Sequence, residues 1–442
     1  MAETSSKKRI FIIAGEASGD YLGGKLMEDI KSLRDDVEFS GIGGEYMNRA
    51  GLQAIFPVDQ LSIIGIWEAL KKAFYIKQKI KETVQKILEY KPDVLVTIDF
   101  PDFTSRVNKT LKKANVNIPI VHYVAPSVWA WRSDRAKTMH EFVDKLLAIL
   151  PFEPELFNKY GLETVFVGHP VVTDTDFEEP QDYFKNQFLH SIGFSPRFDK
   201  NAYQWRDNVK NWNDDMVTVK IYGTVDARNS ANETFKRDAE RGKMIDSFRY
   251  KIITLLPGSR KSEIDYHMPI LKEFVDMMVT RYSGNIRFII PTIESLEEYI
   301  REYTESWNSI PIIINSKSGK VLSYYVSDVA VAASGTVNLE LARTGLPSVI
   351  IYKTSPITAA LVRKLIKIKY VSLVNILANK LVLPELLQED CNAGKIFSYV
   401  TDLIDNEEQR ENQKKEFRSI MASLVPSDTQ QAAKEVLKYI SD

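Results

Sequence analysis

The sequence predicts an α/β protein of two Rossmann-like domains, each a parallel sheet covered by helices, and three observations lead there. Short apolar runs of strand length alternate with longer segments of helical period along most of the chain. The alternation comes as two successive series of comparable size, separated by a polar stretch from Phe177 to Arg249. The length, 442 residues, is more than one ordinary core organises and suits two domains.

The first series supplies strands at Arg9–Ile13, Glu38–Ile42, Val94–Ile98, Ile118–Val124, Lys145–Leu150 and Val165–Val167. Helical period fills Leu22–Leu33, Trp67–Tyr90 and Ser105–Ala114 between them. The second series runs through Lys251–Leu255, Ile286–Ile290, Pro311–Ile314, Val329–Ala332 and Pro347–Ile351. The domains are therefore placed at 8–176 and 250–442, with a cleft between them. Residues 177–249 form an inserted segment, rich in Asn, Asp, Lys and aromatic residues. A structureless loop of that length is unusual inside a compact domain, so the segment reads as a subdomain or appendage. Glu407–Ile440 reads as charged, mostly exposed helix, with the option of packing back on the first domain.

Composition excludes several classes. A hydrophobic fraction of 44% and a charged fraction of 26% describe a soluble globular chain. A net charge of −1 argues against a protein that coats nucleic acid. The single cysteine, Cys391, rules out an intramolecular disulfide and a cysteine metal cluster and points to a reducing, cytoplasmic location. Lys7-Lys8-Arg9 before Ile10-Phe11-Ile12-Ile13 imitates a signal peptide, but the apolar run is too short and reads as a buried strand. No stretch of about 18 uncharged apolar residues occurs, so any membrane contact is peripheral.

Three loops each follow a predicted parallel strand, on the edge where open α/β sheets bind ligands. Ala14-Gly15-Glu16-Ala17-Ser18-Gly19-Asp20 opens a helix with small residues that admit close backbone approach. Its order is neither a dinucleotide fingerprint nor a Walker loop. The plainer alternative is a tight turn with Ser18 or Asp20 as N-cap. Thr97-Ile98-Asp99-Phe100-Pro101-Asp102-Phe103 puts Asp99 at a strand end against Phe100 and Phe103, where burial raises a carboxyl toward a base's range. Alternatively Asp102 caps the following helix and Asp99 only satisfies loop amides. Leu256-Pro257-Gly258-Ser259-Arg260 offers backbone donors and a guanidinium fork suited to phosphate oxygens. With Ala333-Ser334-Gly335-Thr336 it makes a second anion site at a helix start, and Glu340 further along could accept bonds from ribose hydroxyls. Ordinary N-caps at Ser334 and Thr336 and a solvated Glu340 are the competing reading.

Other features carry less. Asp174-Thr175-Asp176 matches the D-x-D used for divalent metals and is read as accidental. His122, His140, His169, His190 and His267 show no zincin spacing, so neither metal nor cofactor is indicated. Ile63, Ile64, Ile66, Trp67, Leu70, Phe74 and Tyr75 interleave with Lys71, Lys72, Lys77, Lys79 and Lys81. Residues 359–378 repeat the mixture with Arg363, Lys364, Lys367 and Lys369. Much of this is helix core beside a solvated face, but it also suits an anionic lipid interface.

Taken together, AGEASGD (14–20), GIGG (41–44), IDFPDF (98–103), HYVAPSVWAWR (122–132), LPFE (150–153), GHP (168–170), LLPGSRKSEI (255–264), ASGTVNLE (333–340), YVSLVNIL (370–377) and PELLQED (384–390) resemble the lipid-A-disaccharide synthase family. They follow the family's order over nearly the whole chain outside the insertion. The resemblance implies a GT-B fold. It implies UDP-2,3-diacylglucosamine as donor and 2,3-diacylglucosamine 1-phosphate as acceptor, with inversion and no metal. It makes Asp99 the essential carboxylate, with Glu16 and His122 in reserve as the base. Arg260, Ser334, Gly335, Thr336 and Glu340 become nucleotide contacts, with Asn375 near the same cleft. Acyl chains would rest on the surface around Ile64, Trp67, Phe74, Lys71 and Lys72, on the inner face of a Gram-negative inner membrane. A homo-oligomer is left open.

The sequence departs from the family's pattern at Val374, where proline is usual, which predicts a looser loop, and in the longer 177–249 segment. Two competitors stand beside this reading: a UDP-sugar enzyme of the same fold, such as a 2-epimerase, and a catalytically silent lipid-binding scaffold.

Overall fold

Every apolar run of the first series becomes a strand of one parallel sheet. In chain order these are β1 (Lys8–Ala14), β2 (Val37–Gly43), β3 (Gln53–Pro57), β4 (Val94–Ile98), β5 (Ile120–Tyr123), β6 (Lys145–Ala148) and β7 (Glu163–Phe166), arranged β3-β2-β1-β4-β5-β6-β7. The second series builds a six-stranded sheet from β8 (Lys251–Leu256), β9 (Ile286–Pro291), β10 (Ile312–Ile314), β11 (Val329–Ala333), β12 (Ser348–Tyr352) and β13 (Glu385–Leu387), in the order β10-β9-β8-β11-β12-β13. The computed structural model describes residues 7–57, 69–128, 133–191, 251–356, 358–359 and 368–440. It divides into two compact units, Met1–Thr173 with Ser423–Asp442, and Asp174–Ala422.

Burial explains why these runs read as nearly continuous apolar sequence. A parallel sheet is covered on both faces, so successive side chains enter different cores. Ile10, Ile12 and Ala14 of β1 join one cluster with Leu26 and Ile30 of the Ala17–Leu33 helix. Phe11 and Ile13 of the same strand join another, with Ile87, Phe103 and Val107. The second unit repeats the scheme: Ile253 and Leu255 of β8 pack with Leu271 and Phe274 of the Lys261–Arg281 helix, while Ile252 faces a separate cluster.

In both sheets the strand order reverses beside the first strand of the series. The reversals lie between β1 and β4 and between β8 and β11. At such a point the neighbouring loops leave in opposite directions, and a crevice opens at the strands' carboxyl ends. The four loops that carry the sequence motifs follow β1, β4, β8 and β11.

Two strands, β3 and β13, have no counterpart in the sequence reading. Both are edge strands: β3 exposes Gln53 and Ala54, and in β13 only Leu386 is buried, so neither forms the apolar run that marks a central strand. The expected structure of 177–249 also needs correction at its start. Asp182–Ser191 is a helix whose Phe188 is fully buried against Ile252, Ile289, Ile314 and Leu322 of the second unit. Residues 192–250 lie outside the described ones.

The last helix, Gln431–Leu437, corrects the expectation of exposure. Ala433, Val436 and Ile440 sit in the core of the first unit. Its charged pattern misleads because one charge faces inward. Lys145 of β6 lies 2.5 Å from Glu435 and 2.7 Å from Glu163, and the Lys145 and Glu435 side chains are each only 3% exposed. A pair taken out of water is costly to break from one side. Lys145→Met is therefore expected to destabilise the protein by about 3 kcal/mol, read as a lower urea midpoint. Lys434→Met, on the exposed side of the same helix, should leave the midpoint nearly unchanged. Equal effects of the two would remove the buried pair from the stability of this unit.

Candidate active site

At the reversal in the first sheet, the loops after β1 and β4 pack on each other. A Cβ on Gly15 would stand 2.2 Å from Cδ1 of Phe100, so only glycine lets the first loop lie against that ring. Pro101 opens the Pro101–Lys113 helix, and its ring bars Phe100 from the right-handed helical region. Asp99 and Phe100 both take left-handed backbone, with φ of 47° and 50°. In the neighbouring strand Val124, next after the partner of Ile98, also has positive φ, 75°. Non-glycine residues in such conformations cost about 1–3 kcal/mol each and persist only where the surroundings enforce them. Here the Asp99 N–H donates to Tyr123 O at 2.9 Å, and the Thr104 hydroxyl donates to Asp99 O and Phe100 O at 2.9 and 3.0 Å. Burial raises the Asp99 carboxyl above its ordinary range, opposed in part by the Phe100 amide.

Three neighbours take other roles than the sequence suggested. Asp102 does not cap its helix; it is exposed and pairs with Arg135 at 3.3 Å. Neither Ser18 nor Asp20 caps the Ala17–Leu33 helix, whose N-cap is the exposed Glu16. Asp20 is buried and accepts from the amides of Gly44, Tyr46 and Met47 at 2.7–3.0 Å. It thereby caps the short Glu45–Arg49 helix from outside and fixes the GIGG turn. His122 is also corrected as a reserve base. It is buried mid-sheet, shares a 2.8 Å hydrogen bond through Nδ1 with Thr97 Oγ1, and burial pushes its imidazole down to about 4.

At the reversal in the second sheet, Gly258 has φ 124°, and a Cβ there would meet the Glu263 carboxylate at 2.5 Å. Glu263 accepts from the Ser259 amide at 3.0 Å and so shapes the turn. Arg260 is the N-cap of the Lys261–Arg281 helix, and its side chain is 79% exposed, 3.6 Å from Glu263. The turn is held from beneath by His267, a residue the sequence offered no reason to choose. Its Nδ1–H donates to Pro257 O at 2.7 Å and its Nε2 accepts from the Lys353 amide at 2.9 Å. The bond accepted at Nε2 requires the neutral ring, and burial lowers its pKa accordingly. His267 thus ties the loop after β8 to the loop after β12.

After β11, the Ser334 amide donates to Ile351 O at 3.2 Å and its hydroxyl to Val371 O at 3.4 Å. Among the described residues nothing lies within 4 Å of a Cβ placed on Gly335 at the start of the Val337–Thr344 helix, with Thr336 at its N-cap. Glu340 is not simply solvated: Lys320 Nζ lies 2.7 Å from its Oε2, and the Tyr324 hydroxyl donates to the same oxygen at 3.2 Å.

Asn375 is a correction. It is fully buried, and its amide is spent inside the protein. Nδ2 donates to Leu383 O and Glu385 Oε1, while Oδ1 accepts from the amides of Val382 and Leu383, all at 2.8 Å. Glu385 in turn accepts from the amides of Val371 and Ser372. Asn375 therefore fixes the 371–385 segment against which Ser334 leans and has no group left for a nucleotide. Val374, expected to loosen this loop, is fully buried beside it.

The remaining candidates divide simply. Asp174 accepts from the Asp176 amide, and Lys317 pairs with both carboxylates, so the D-x-D is engaged by a cation of the chain itself. Among the described residues no group of His, Cys, Asp and Glu has the arrangement of a metal site. His169 is buried, accepts from the Val171 amide at 3.1 Å, and is pushed down to about 4. Ile64, Trp67 and residues 129–132 lie outside the described residues. Lys71, Lys72 and Phe74 fall in the Ala69–Tyr90 helix, but their side chains are outside the description.

The two histidines pushed down to about 4, His122 and His169, predict a pH dependence. Their folded pKa near 4 lies below the ordinary 6.5, so the unfolded chain takes up protons first. Their contribution is complete above about pH 6.5 and falls toward pH 4, at about 1.4 kcal/mol per pH unit for each ring. Urea denaturation between pH 6.5 and 5 should show this slope, and it should be shallower in His122→Asn. A slope unchanged by that substitution would contradict a buried neutral ring.

The family model described as lipid-A-disaccharide synthetase matches residues 10–192 and 227–439, skipping only part of the polar segment. Lipid-A-disaccharide synthase of Rhodospirillum centenum is 35% identical, covering 91% of this chain and 87% of that protein. The protein of that name from Nitrobacter winogradskyi is 34% identical over 100% of this chain and 98% of its own. Among solved structures, UDP-GlcNAc 2-epimerase from Neisseria meningitidis bound to UDP-GlcNAc superposes with a TM-score of 0.55 at 11% identity, covering 97% of this chain and 98% of that one. The glycosyltransferase of kitacinnamycin gives 0.54 at 9% identity, covering 98% and 100%. Identities this low speak for the fold alone, which is the GT-B fold expected from the sequence. With a family match across both sheets and relatives above 30% identity along nearly its full length, the chain belongs to the lipid-A-disaccharide synthetase family of glycosyltransferases.

Proposed function

We propose that this enzyme transfers a 2,3-diacylglucosaminyl unit from UDP to the 6-hydroxyl of 2,3-diacylglucosamine 1-phosphate. The products are the β-1′,6-linked disaccharide 1-phosphate and UDP, with inversion at the donor anomeric carbon. One observation carries the reading within the family. Each switch point offers groups suited to one half of a glycosyl transfer: a half-buried carboxyl of raised pKa in the first unit, an exposed guanidinium and a helix start in the second.

Asp99 takes the proton of the acceptor 6-hydroxyl as its oxygen forms the new bond to the donor anomeric carbon. The bond from that carbon to the β-phosphate oxygen breaks, and its electron pair leaves with UDP. The sugar passes through an oxocarbenium-like transition state. Arg260 and the helix start at Gly335 and Thr336 meet the charge that grows on the diphosphate. Asp99 is preferred to Glu16 because Asp99 is half-buried and its carboxyl is raised by desolvation, whereas Glu16 is exposed.

The lipid substrates place the reaction at a membrane surface. No helix among the described residues is long and apolar enough to cross one. The lysine-rich apolar stretch from Ile63 to Lys81 supports peripheral contact with anionic lipid at the cytoplasmic face.

UDP release from both acylated substrates, measured with EDTA present, tests the reading. Asp99→Asn should lower kcat by about a hundredfold to ten-thousandfold with the fold intact. Arg260→Ala should lower kcat/KM for the donor by about a hundredfold or more. A folded protein that makes no disaccharide from these substrates would favour the scaffold reading, and activity lost only on adding EDTA would require a metal this mechanism does not use.

A further inference from the structure

The Glu340 carboxylate is held more firmly than a surface glutamate needs to be. Its side chain is 21% exposed, and two donors from the Lys317–Val326 helix converge on one of its oxygens. Lys320 Nζ lies 2.7 Å from Oε2, and the Tyr324 hydroxyl donates to it at 3.2 Å. Tyr324 is 1% exposed, and burial keeps its phenol protonated and therefore a donor. An ion pair still in reach of solvent on both sides adds little to stability. Two donors on one oxygen instead fix the plane of the carboxylate and leave Oε1 to accept from elsewhere.

The location gives that freed oxygen a partner. Glu340 lies four residues beyond Thr336, the N-cap at the helix start, and four helical residues advance about 6 Å. That is the reach from a diphosphate to the hydroxyls of its own ribose. The same Lys317–Val326 helix is anchored independently of any ligand: Ser316 accepts from the Gly319 amide at 3.2 Å and Tyr325 donates to Phe177 O at 2.8 Å. The two donors thus come from a fixed support.

We propose that Tyr324 and Lys320 are positioning residues for ribose recognition: by holding Oε2 of Glu340 they aim Oε1 at a ribose hydroxyl, and so make the site select ribonucleoside over deoxyribonucleoside diphosphates. The inference rests on the reading of the helix start as the UDP-binding site. It goes further in assigning the choice of sugar to two residues that touch only the glutamate.

Calorimetric binding of UDP, 2′-deoxy-UDP and 3′-deoxy-UDP to the full chain tests it. The native protein should bind UDP about tenfold or more tightly than at least one deoxy analogue, the usual weight of a hydrogen bond to a charged group. Glu340→Gln should reduce that preference most. Tyr324→Phe and Lys320→Met should each reduce it severalfold, and Lys320→Arg should restore most of it. Lys320 is a third exposed, so its variants keep the inference testable even if Tyr324→Phe fails to fold. A full ribose preference in folded Lys320→Met and Tyr324→Phe would overturn the inference and leave these residues as ties between two helices. UDP bound with no preference over either analogue would overturn it while sparing the UDP site, whereas no UDP binding by the folded native protein would overturn both.

Discussion

The chemistry of this protein depends on a topological constraint: a parallel strand must be followed by a crossover, and strand order can reverse only where crossovers go to opposite faces of the sheet. Both sheets reverse beside their first strand, between β1 and β4 and between β8 and β11. That one choice, made twice, leaves two carboxyl edges uncovered. It also sends four short loops, with Asp99, Arg260 and Ser334 among their residues, to those edges. The strained backbone at Asp99, Phe100 and Val124 gathers at one of them. The loop there is bounded by a proline on one side and a glycine-only contact on the other, so its conformation is imposed from two directions.

A second layer of buried polar side chains keeps these loops in place. Asp20 grips three amides of the turn after β2, His267 joins the loops after β8 and β12, and Asn375 with Glu385 pins the segment beside Ser334. Each is hydrogen-bonded inside the protein, which is what burial of a polar group demands. They act on the reaction only through the loops they hold. The groups that face outward, Arg260 above all, are the ones that have few internal partners.

Much of this was legible in the sequence, and the reason is physical. Central parallel strands such as β1, β4 and β8 are buried on both faces, so their residues read as apolar runs, and the loops after them fall at the edge where ligands bind. The edge strands β3 and β13 were illegible because only part of each is buried, which leaves no continuous apolar run. Buried polar residues were the hardest: nothing in the local sequence separates Asn375, whose amide is spent internally, from Arg260, which is exposed. His122 and His267 likewise look alike in sequence, yet one lies mid-sheet against Thr97 and the other bridges two loops. The burial of the Gln431–Leu437 helix was hard to read because the partner of Glu435 is a lysine in β6, far away along the chain.

That pairing bears on the order in which the protein can be made. The ribosome delivers Lys145 long before Glu435, 290 residues later, and the second unit is a continuous stretch that emerges complete in between. The first unit therefore waits, with Lys145 paired to Glu163 alone, until the Gln431–Leu437 helix emerges. The second unit has all its own residues by then, so the half of the enzyme that begins the sequence is the half that finishes folding last.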